Sequence, residues 1–384
     1  MPSNSAGGWP KWPPSSLVTE KKTAWFDSVA DYRAEDIAAA LRRGLAEEQL
    51  DGLIKPGDRV LLKPNLVMAK PPEKAVTTHP AVVSGVAMVL KEAGARLYLG
   101  DSSGFGSFER CLAKSGLAPV LKRFAITPVD FTREKKVVHD PDNLVAKRLE
   151  LAAAAFRFDH VVNLAKLKTH GMMGSTLALK NFFGFIVGLD KANWHLRAGH
   201  DRALFARIIL DIHRQVRPAW NLIDGIVAME GEGPTGGTPR RAGLLALGKE
   251  AAVLDWLVEE WAGFPGPTPL LVEARKLGLV DPEQIEARGP AADRPLRPRL
   301  KPAPGAEDAT VPGQALWRRL FVRRPKISAT RCHRCEVCIN HCPARAMRLE
   351  NDRVVIDYKK CINCYCCQEL CPYGAVTIAR RLAW

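Results

Sequence analysis

Apolar residues recur at helical spacing from Ala34 to Leu50, which predicts a helix ending near Gly52. A turn at Lys55 to Asp58 then leads into an apolar run, Arg59 to Lys63, that reads as a buried strand stopping at Pro64 and Asn65. Thr77, Thr78, His79 and Pro80 open a second helix. Proline suits a first helical position, where its missing N–H would find no partner anyway, so His79 falls at the cap and the helix runs to Gly94. The next strand, Arg96 to Gly100, delivers Asp101, Ser102 and Gly104 at its carboxyl end. Strand, helix, strand in this order predicts an α/β fold built on a doubly wound, mostly parallel sheet, with ligand-binding loops at the strand ends.

The pattern continues through a buried strand from Asp159 to Ala165, followed by Lys166, Lys168 and His170, and then by Leu179, Lys180 and Asn181. A helix over Leu204 to Val216, a strand over Asn221 to Met229, a turn-rich loop over Glu230 to Gly237, a strand over Gly243 to Leu247 and helices over Ala251 to Trp261 and Leu270 to Leu277 complete the unit. Beyond it, prolines recur at 290, 295, 298, 302, 304 and 312. Such a segment buries too little surface to be ordered, and it reads as a semi-extended linker that tethers the remainder of the chain. The expected divisions are a flexible lead-in over 1–23, an α/β domain over 24–285, a Pro/Arg-rich linker over 286–325 and a small α+β domain over 326–384.

Cysteines change the picture at the end of the chain. Cys332, Cys335, Cys338 and Cys342 are followed by Pro343, and Cys361, Cys364, Cys367 and Cys371 by Pro372, each cysteine of the second run lying 29 positions after its counterpart. Three thiolates at this spacing can wrap one [4Fe–4S] cube, while the fourth, beside a proline, points to the neighbouring cube. Cys332, Cys335, Cys338 and Cys371 would then hold one cluster, and Cys361, Cys364, Cys367 and Cys342 the second. Structural zinc is the rival, since a Cys-x-x-Cys pair alone would suit it. The repeat resembles the bacterial two-cluster ferredoxin module. Cys366 falls outside the spacing and reads as a free thiol, and the isolated Cys111 as a buried apolar residue.

Composition sets bounds on partners. The chain has 384 residues, 47% of them hydrophobic and 25% charged, the balance of an ordinary globular protein. No apolar run approaches the roughly 18 residues of a membrane span. Residues 1–23 lack the layout of a signal peptide, so the cytoplasm is the expected location, and reduced thiols suit it. The formal charge is +15, and Arg323 to Arg381 carries 12 Lys/Arg against 5 Asp/Glu. Basicity of this kind favours an acidic redox partner protein or a small anionic substrate. Nucleic acid is not indicated, because the charges are dispersed and no recognition helix stands out.

Candidate chemistry centres on Lys166, Lys168 and His170, alternate positions that share one side of an extended chain. With Lys180 they are the candidate catalytic residues, since a partly desolvated Lys or His can move protons near neutral pH. Lys63, Asn65, Asp101, Ser102, Asn181, Asp224 and Glu230 are the candidate substrate-binding residues, at strand ends or close by. Gly231, Gly233 and Gly236 match a dinucleotide fingerprint literally, but Pro234 interrupts it and Pro239 falls where a helix should begin. His79, His195, His200 and His213 show no ligand spacing.

Together these residues do match a family. The segments at Lys63 to Asn65, Thr78 to Pro80, Gly100 to Ser102, Lys166 to His170, Leu179 to Gly184 and Glu230 to Gly236 resemble the bacterial and archaeal domain-of-unknown-function 362 family, which often carries a two-cluster ferredoxin tail. The resemblance implies a candidate site but no reaction. The expected function is an iron–sulfur oxidoreductase whose two clusters relay electrons to or from an anionic molecule in the α/β domain. A ferredoxin-like carrier or cluster-handling protein docking a partner, and a non-redox transferase or ligase with structural clusters, are the alternatives. A further cofactor, flavin or another metal, is left open.

Overall fold

The computed structural model describes residues 21–104, 106–188, 190–304 and 321–382. The lead-in over 1–20 and the linker over 305–320 lie outside the described residues. Nine strands form one sheet: β1 (Lys22–Ser28), β2 (Arg59–Pro64), β3 (Arg96–Asp101), β4 (Thr127–Asp130), β7 (His160–His170), β8 (Gly174–Ser175), β9 (Trp220–Glu230), β10 (Thr238–Gly248) and β11 (Ile285–Arg288). A separate hairpin, β5 (Lys135–His139) with β6 (Arg148–Ala152), packs beside it. The sheet order is β11-β1-β10-β9-β7-β2-β3-β4, with β8 paired to β7. Every pairing along that path is parallel except those made by β10.

Helices cover both faces, as a parallel sheet with two apolar faces requires. On one face Val60 and Leu62 of β2 and Val162 and Leu164 of β7 pack with α1 (Ala34–Glu47), α2 (Pro80–Glu92), α3 (Phe108–Lys114) and α4 (Leu117–Arg123). On the other, Leu61, Val161, Ala165 and Leu167 meet α5 (Ala178–Asn181), α7 (Arg202–Val216), α8 (Ala251–Ala262) and α9 (Pro269–Lys276). The short α6 (Asp190–Ala198) joins this side through Trp194 and Ala198. His79 caps α2 as its sequence predicts, with Nδ1 accepting from the N–H of Ala81 at 3.1 Å.

Two sequence expectations need correction. Lys22 and Thr23, expected in the lead-in, belong to β1, whose Ala24 and Phe26 are fully buried between β10 and β11. Two parts of the expected linker over 286–325 are described: 321–325 lie in the first strand of the C-terminal module, and 286–304 is folded against the α/β domain. β11 enters the sheet, Leu296 N–H donates to Trp261 O and Leu300 N–H to Ala262 O, and Ala291, Leu296, Leu300 and Ala303 are buried. These four apolar positions supply the burial that the intervening prolines concealed.

The C-terminal module pairs β12 (Phe321–Ile327) with β15 (Val376–Leu382) and β13 (Met347–Glu350) with β14 (Arg353–Ile356), with α10 (Val337–Asn340) and α11 (Cys366–Leu370) between them. Its 29-residue repeat is carried by the backbone. Arg334, Glu336 and Arg345 are left-handed, and so are Asn363, Tyr365 and Gly374, each 29 positions on. This module is docked on the α/β domain, and Tyr365 and Ile378 join its hydrophobic core.

Candidate functional site

The chain leaves β2 for β3 and β4 on one side and returns to β7 on the other, so β2 and β7 flank the point where the winding reverses. Carboxyl ends of strands at such a point splay apart and leave a crevice. Lys63 and Asn65, at the end of β2, stand there beside Asp101 and Ser102 at the end of β3. A cavity of about 260 Å³ occupies the crevice, lined by Lys63, Asn65, Asp101, Ser102, Lys180 and Asn181. Lys191 and His195 of α6 close one side, and His341, Cys366, Glu369 and Leu370 of the C-terminal module form its roof.

Each lysine in this cavity has a distinct setting. Lys63 Nζ is fully buried, 2.8 Å from Asp101 Oδ1 and 2.9 Å from Pro64 O; burial draws its pKa down and Asp101 partly offsets this. Asp101 is held by the N–H groups of Leu66 and Ser102, both at 2.8 Å. Lys191 Nζ donates to Ser102 O at 2.5 Å, and burial lowers its pKa to about 8. Lys180 lies over the Phe183 ring at 6.0 Å; burial lowers its pKa against the pull of Glu369. His195, sandwiched against Phe205 and Phe183, has a buried Nδ1 with no partner among the described residues, and burial takes its pKa to about 3.

Asn181 and Asn65 frame the floor. Asn181 Oδ1 accepts from Asn65 Nδ2 at 3.1 Å, and its Nδ2 donates to Asn163 Oδ1 at 2.8 Å. Asn65 Oδ1 in turn accepts from Lys168 Nζ at 2.8 Å.

The remaining candidates do not line the cavity. Lys63 shares its sheet face with Leu61, whereas Lys166 and Lys168 alternate with Leu164 onto the opposite face. Lys166 Nζ is 2.8 Å from Asp224 Oδ2 and from Tyr32 Oη, and Tyr32 donates to Asp224 Oδ1 at 2.8 Å, a closed buried network. Asp224 also accepts from the N–H of His79. Glu230 pairs with Arg240 and accepts from Lys301 N–H, fastening the 286–304 segment. Among the described residues Lys168 Nζ donates to two neutral groups, Asn65 Oδ1 and Val76 O, and burial lowers its pKa to about 7.

Lys168 makes stability depend on pH. Its folded pKa lies below the unfolded value, so the unfolded chain binds more protons between about pH 7 and about pH 10 and stability rises with pH across that window. Lys168→Met is expected to flatten this slope, as urea denaturation at pH 7, 8 and 9 would read. An unchanged slope would count against a desolvated Lys168.

His170 belongs to the docking interface. Its Nδ1 accepts from the N–H groups of Met172 and Met173, both at 3.1 Å, which leaves the proton on Nε2. Nε2 lies 2.7 Å from Glu369 Oε1, a close polar contact rather than an aligned hydrogen bond. Burial lowers the His170 pKa to about 4, while Glu369 stays ionised because His170 and Lys180 outweigh its burial. Gln368 Nε2 donates to Glu232 O at 2.8 Å, Thr235 Oγ1 to Glu369 O at 2.9 Å, and Lys70 Nζ to Pro372 O at 2.7 Å. The glycine loop of 231–236 is thus a docking loop, with no helix following it. Gly233 is required there because a Cβ would lie 2.1 Å from Thr169 O.

Inside the module, one small cavity is lined by Cys332, Cys335, Cys338 and Cys371, and a second by Cys342, Cys361, Cys364 and Cys367. Their walls are otherwise mainly apolar, with Val337, Val354 and Val376 at the first and Met347, Ile356 and Ile362 at the second. Ala346 N–H donates to Cys342 Sγ and Ala375 N–H to Cys371 Sγ, each at 3.2 Å and 29 residues apart. Four thiols, apolar walls and N–H···S contacts fit the donor set of a [4Fe–4S] cluster.

Comparison with known proteins places this geometry in a family. The model of Domain of unknown function (DUF362) matches residues 60–258, and that of the 4Fe-4S dicluster domain matches 324–372. This chain belongs to the DUF362 family. A thylakoid-associated protein of Synechocystis is 37% identical to it over 252 residues, 65% of this chain and 77% of that protein. The pyruvate synthase subunit PorD of Methanocaldococcus jannaschii is 37% identical over 66 residues, 17% of this chain and 73% of PorD. Among solved structures, the lactate racemase apoprotein from Thermoanaerobacterium thermosaccharolyticum aligns at 15% identity with a TM-score of 0.39, covering 64% of this chain and 59% of that one. This DUF362 protein is therefore an α/β domain joined to a ferredoxin-type iron–sulfur module, and the role its tail supports is electron carriage. No helix among its described residues is long and apolar enough to cross a membrane.

Lys191, His195, His341 and Glu369 are cavity residues that sequence reading missed. A signal existed for two pairs. Lys191 and His195 are four apart on α6, and Cys366 and Glu369 three apart on α11, spacings that share a helix face.

Proposed function

We propose that this protein is an iron–sulfur oxidoreductase in which two [4Fe–4S] clusters relay single electrons to or from an anionic small molecule held in the cavity beneath α11. One observation carries the reading. Helix α11 serves both sites at once: Cys367 lines a cluster cavity, while Cys366, Glu369 and Leu370 line the substrate cavity. A molecule bound there would touch the peptide that holds the cluster.

Charge supports the anion. Lys63, Lys180 and Lys191 face the cavity against Asp101 and Glu369, which favours a single extra negative charge. In the reducing direction the clusters, once held by the eight cysteines, would supply one electron each, and the substrate would take up two protons, one from Lys191, poised near neutrality, and one from solvent. An external one-electron carrier then restores the clusters.

The test is anaerobic reduction of the purified protein followed by a screen of small carboxylates and phosphates for reoxidation of the clusters. A ligand that reoxidises them and that competes with simple anions is expected. If no member of the screen does so, the reading is lost; turnover of a ligand without any change in cluster oxidation state would favour the transferase alternative.

A further inference from the structure

The two halves of the module share a backbone path but not a surrounding. In the first half Arg331, His333, Arg334, Cys335 and Glu336 are exposed, whereas in the second Cys364 and Tyr365 are buried and Ile362 and Asn363 half-buried against the rest of the protein. The tertiary contact is the cause, since Tyr365 packs into the α/β core and Cys366 faces the substrate cavity. A cluster held by Cys342, Cys361, Cys364 and Cys367 (cluster 2) would thus be shut in beside the cavity, and one held by Cys332, Cys335, Cys338 and Cys371 (cluster 1) would meet solvent at Cys335.

The rim of the first cluster cavity has features of a protein-docking site. His333 and Tyr373 both line that cavity, their rings are 4.2 Å apart, and Tyr373 is 48% exposed, among the few large hydrophobic side chains left so. Aromatic anchors of this type carry much of the energy of protein interfaces. The described part of the module as a whole exposes eight Lys/Arg side chains against three Asp/Glu. Two oxidised clusters, each −2 with its four thiolates, lower the chain's formal +15 only to about +11.

From this asymmetry we infer that the exposed face around Cys335, His333 and Tyr373 is the electron-transfer port of the protein, and that its partner is a small acidic one-electron carrier protein. Electrons pass between carrier and cluster 1, then cluster 2, then the cavity. One electron leaves the reduced carrier for each one that arrives, so no further oxidant or reductant is needed. The port rests on the two-cluster reading above and adds which cluster meets the partner and what charge that partner bears.

The test uses the full-length, cluster-loaded protein carrying Arg334→Glu with Arg353→Glu, both exposed and neither lining the substrate cavity. Its reduction by a reduced acidic bacterial ferredoxin is followed by stopped flow, beside reduction by a small photoreductant. The rate with ferredoxin is expected to fall about tenfold at low salt and to converge with the wild type at high salt. Photoreduction and iron content should stay unchanged. Lys359→Glu with Lys360→Glu, beside the covered loop, should alter the ferredoxin rate less than about twofold. An unaltered rate in the arginine pair, or an equal loss in the lysine pair, overturns the port. Wild-type protein isolated anaerobically without iron would overturn the two-cluster reading itself.

Discussion

Cys342→Ser combined with Cys361→Ser is expected to leave about four irons per chain, whereas Cys342→Ser combined with Cys332→Ser is expected to leave almost none. The reason is the exchange of ligands between the two runs. Cys342 belongs to the first run in sequence but lines the cavity of Cys361, Cys364 and Cys367, and Cys371 makes the reciprocal crossing. Two losses in one cavity therefore remove one cluster, and losses in different cavities remove both. If each run held its own cluster, the two results would be interchanged, so iron and sulfide analysis with low-temperature EPR decides. The variant lacking both clusters should also lose the fold of residues 321–382, because so small a unit draws its stability from its metal. Limited proteolysis would detect this.

The lysines of the cavity should separate into two kinds. Lys63→Met would strand Asp101 as a buried, unpaired carboxylate and is expected to cost about 3–5 kcal/mol of stability. Lys180 has no carboxylate in direct contact among the described residues, but its charge is one of two that hold Glu369 ionised, so Lys180→Met removes a desolvated charge and weakens that support. Its stability should fall less than that of Lys63→Met, while binding of the reoxidising anion should weaken about 10- to 100-fold through loss of a charge-assisted hydrogen bond worth roughly 1.5–3 kcal/mol. Urea denaturation and anaerobic reoxidation kinetics measure the two effects. A stable Lys63→Met protein, or a Lys180→Met protein with unaltered reoxidation, would contradict the assignment.

Much of this architecture is legible in the chain. Helices α1, α2, α7 and α8 follow from apolar spacing and the cap of α2 from His79 and Pro80, because these depend on residues within a few turns of one another. The strand-end positions Lys63, Asn65, Asp101 and Ser102 also fall at the site, since a parallel sheet puts such positions at one edge. Lys166, Lys168 and His170 lie off the cavity for a definite reason. Their period of two shows that they share a side, but which side they share with Lys63 depends on register, and β2 pairs Lys63 with Asn163, an odd position of β7 opposite in facing to Lys166.

Sequence by itself determined the eight-sulfur repeat and the α/β class, both of which arise from short-range spacing: thiolates reach around a cluster, and apolar faces select helix or strand, without reference to distant residues. Tertiary structure alone decided that residues 286–304 are packed, that Cys366 and Glu369 roof a cavity whose lining includes Lys180 from far earlier in the chain, and that one cluster loop is covered while its twin is bare. Those outcomes depend on which surfaces come together, and a repeat of equal halves becomes unequal only when one half finds something to pack against.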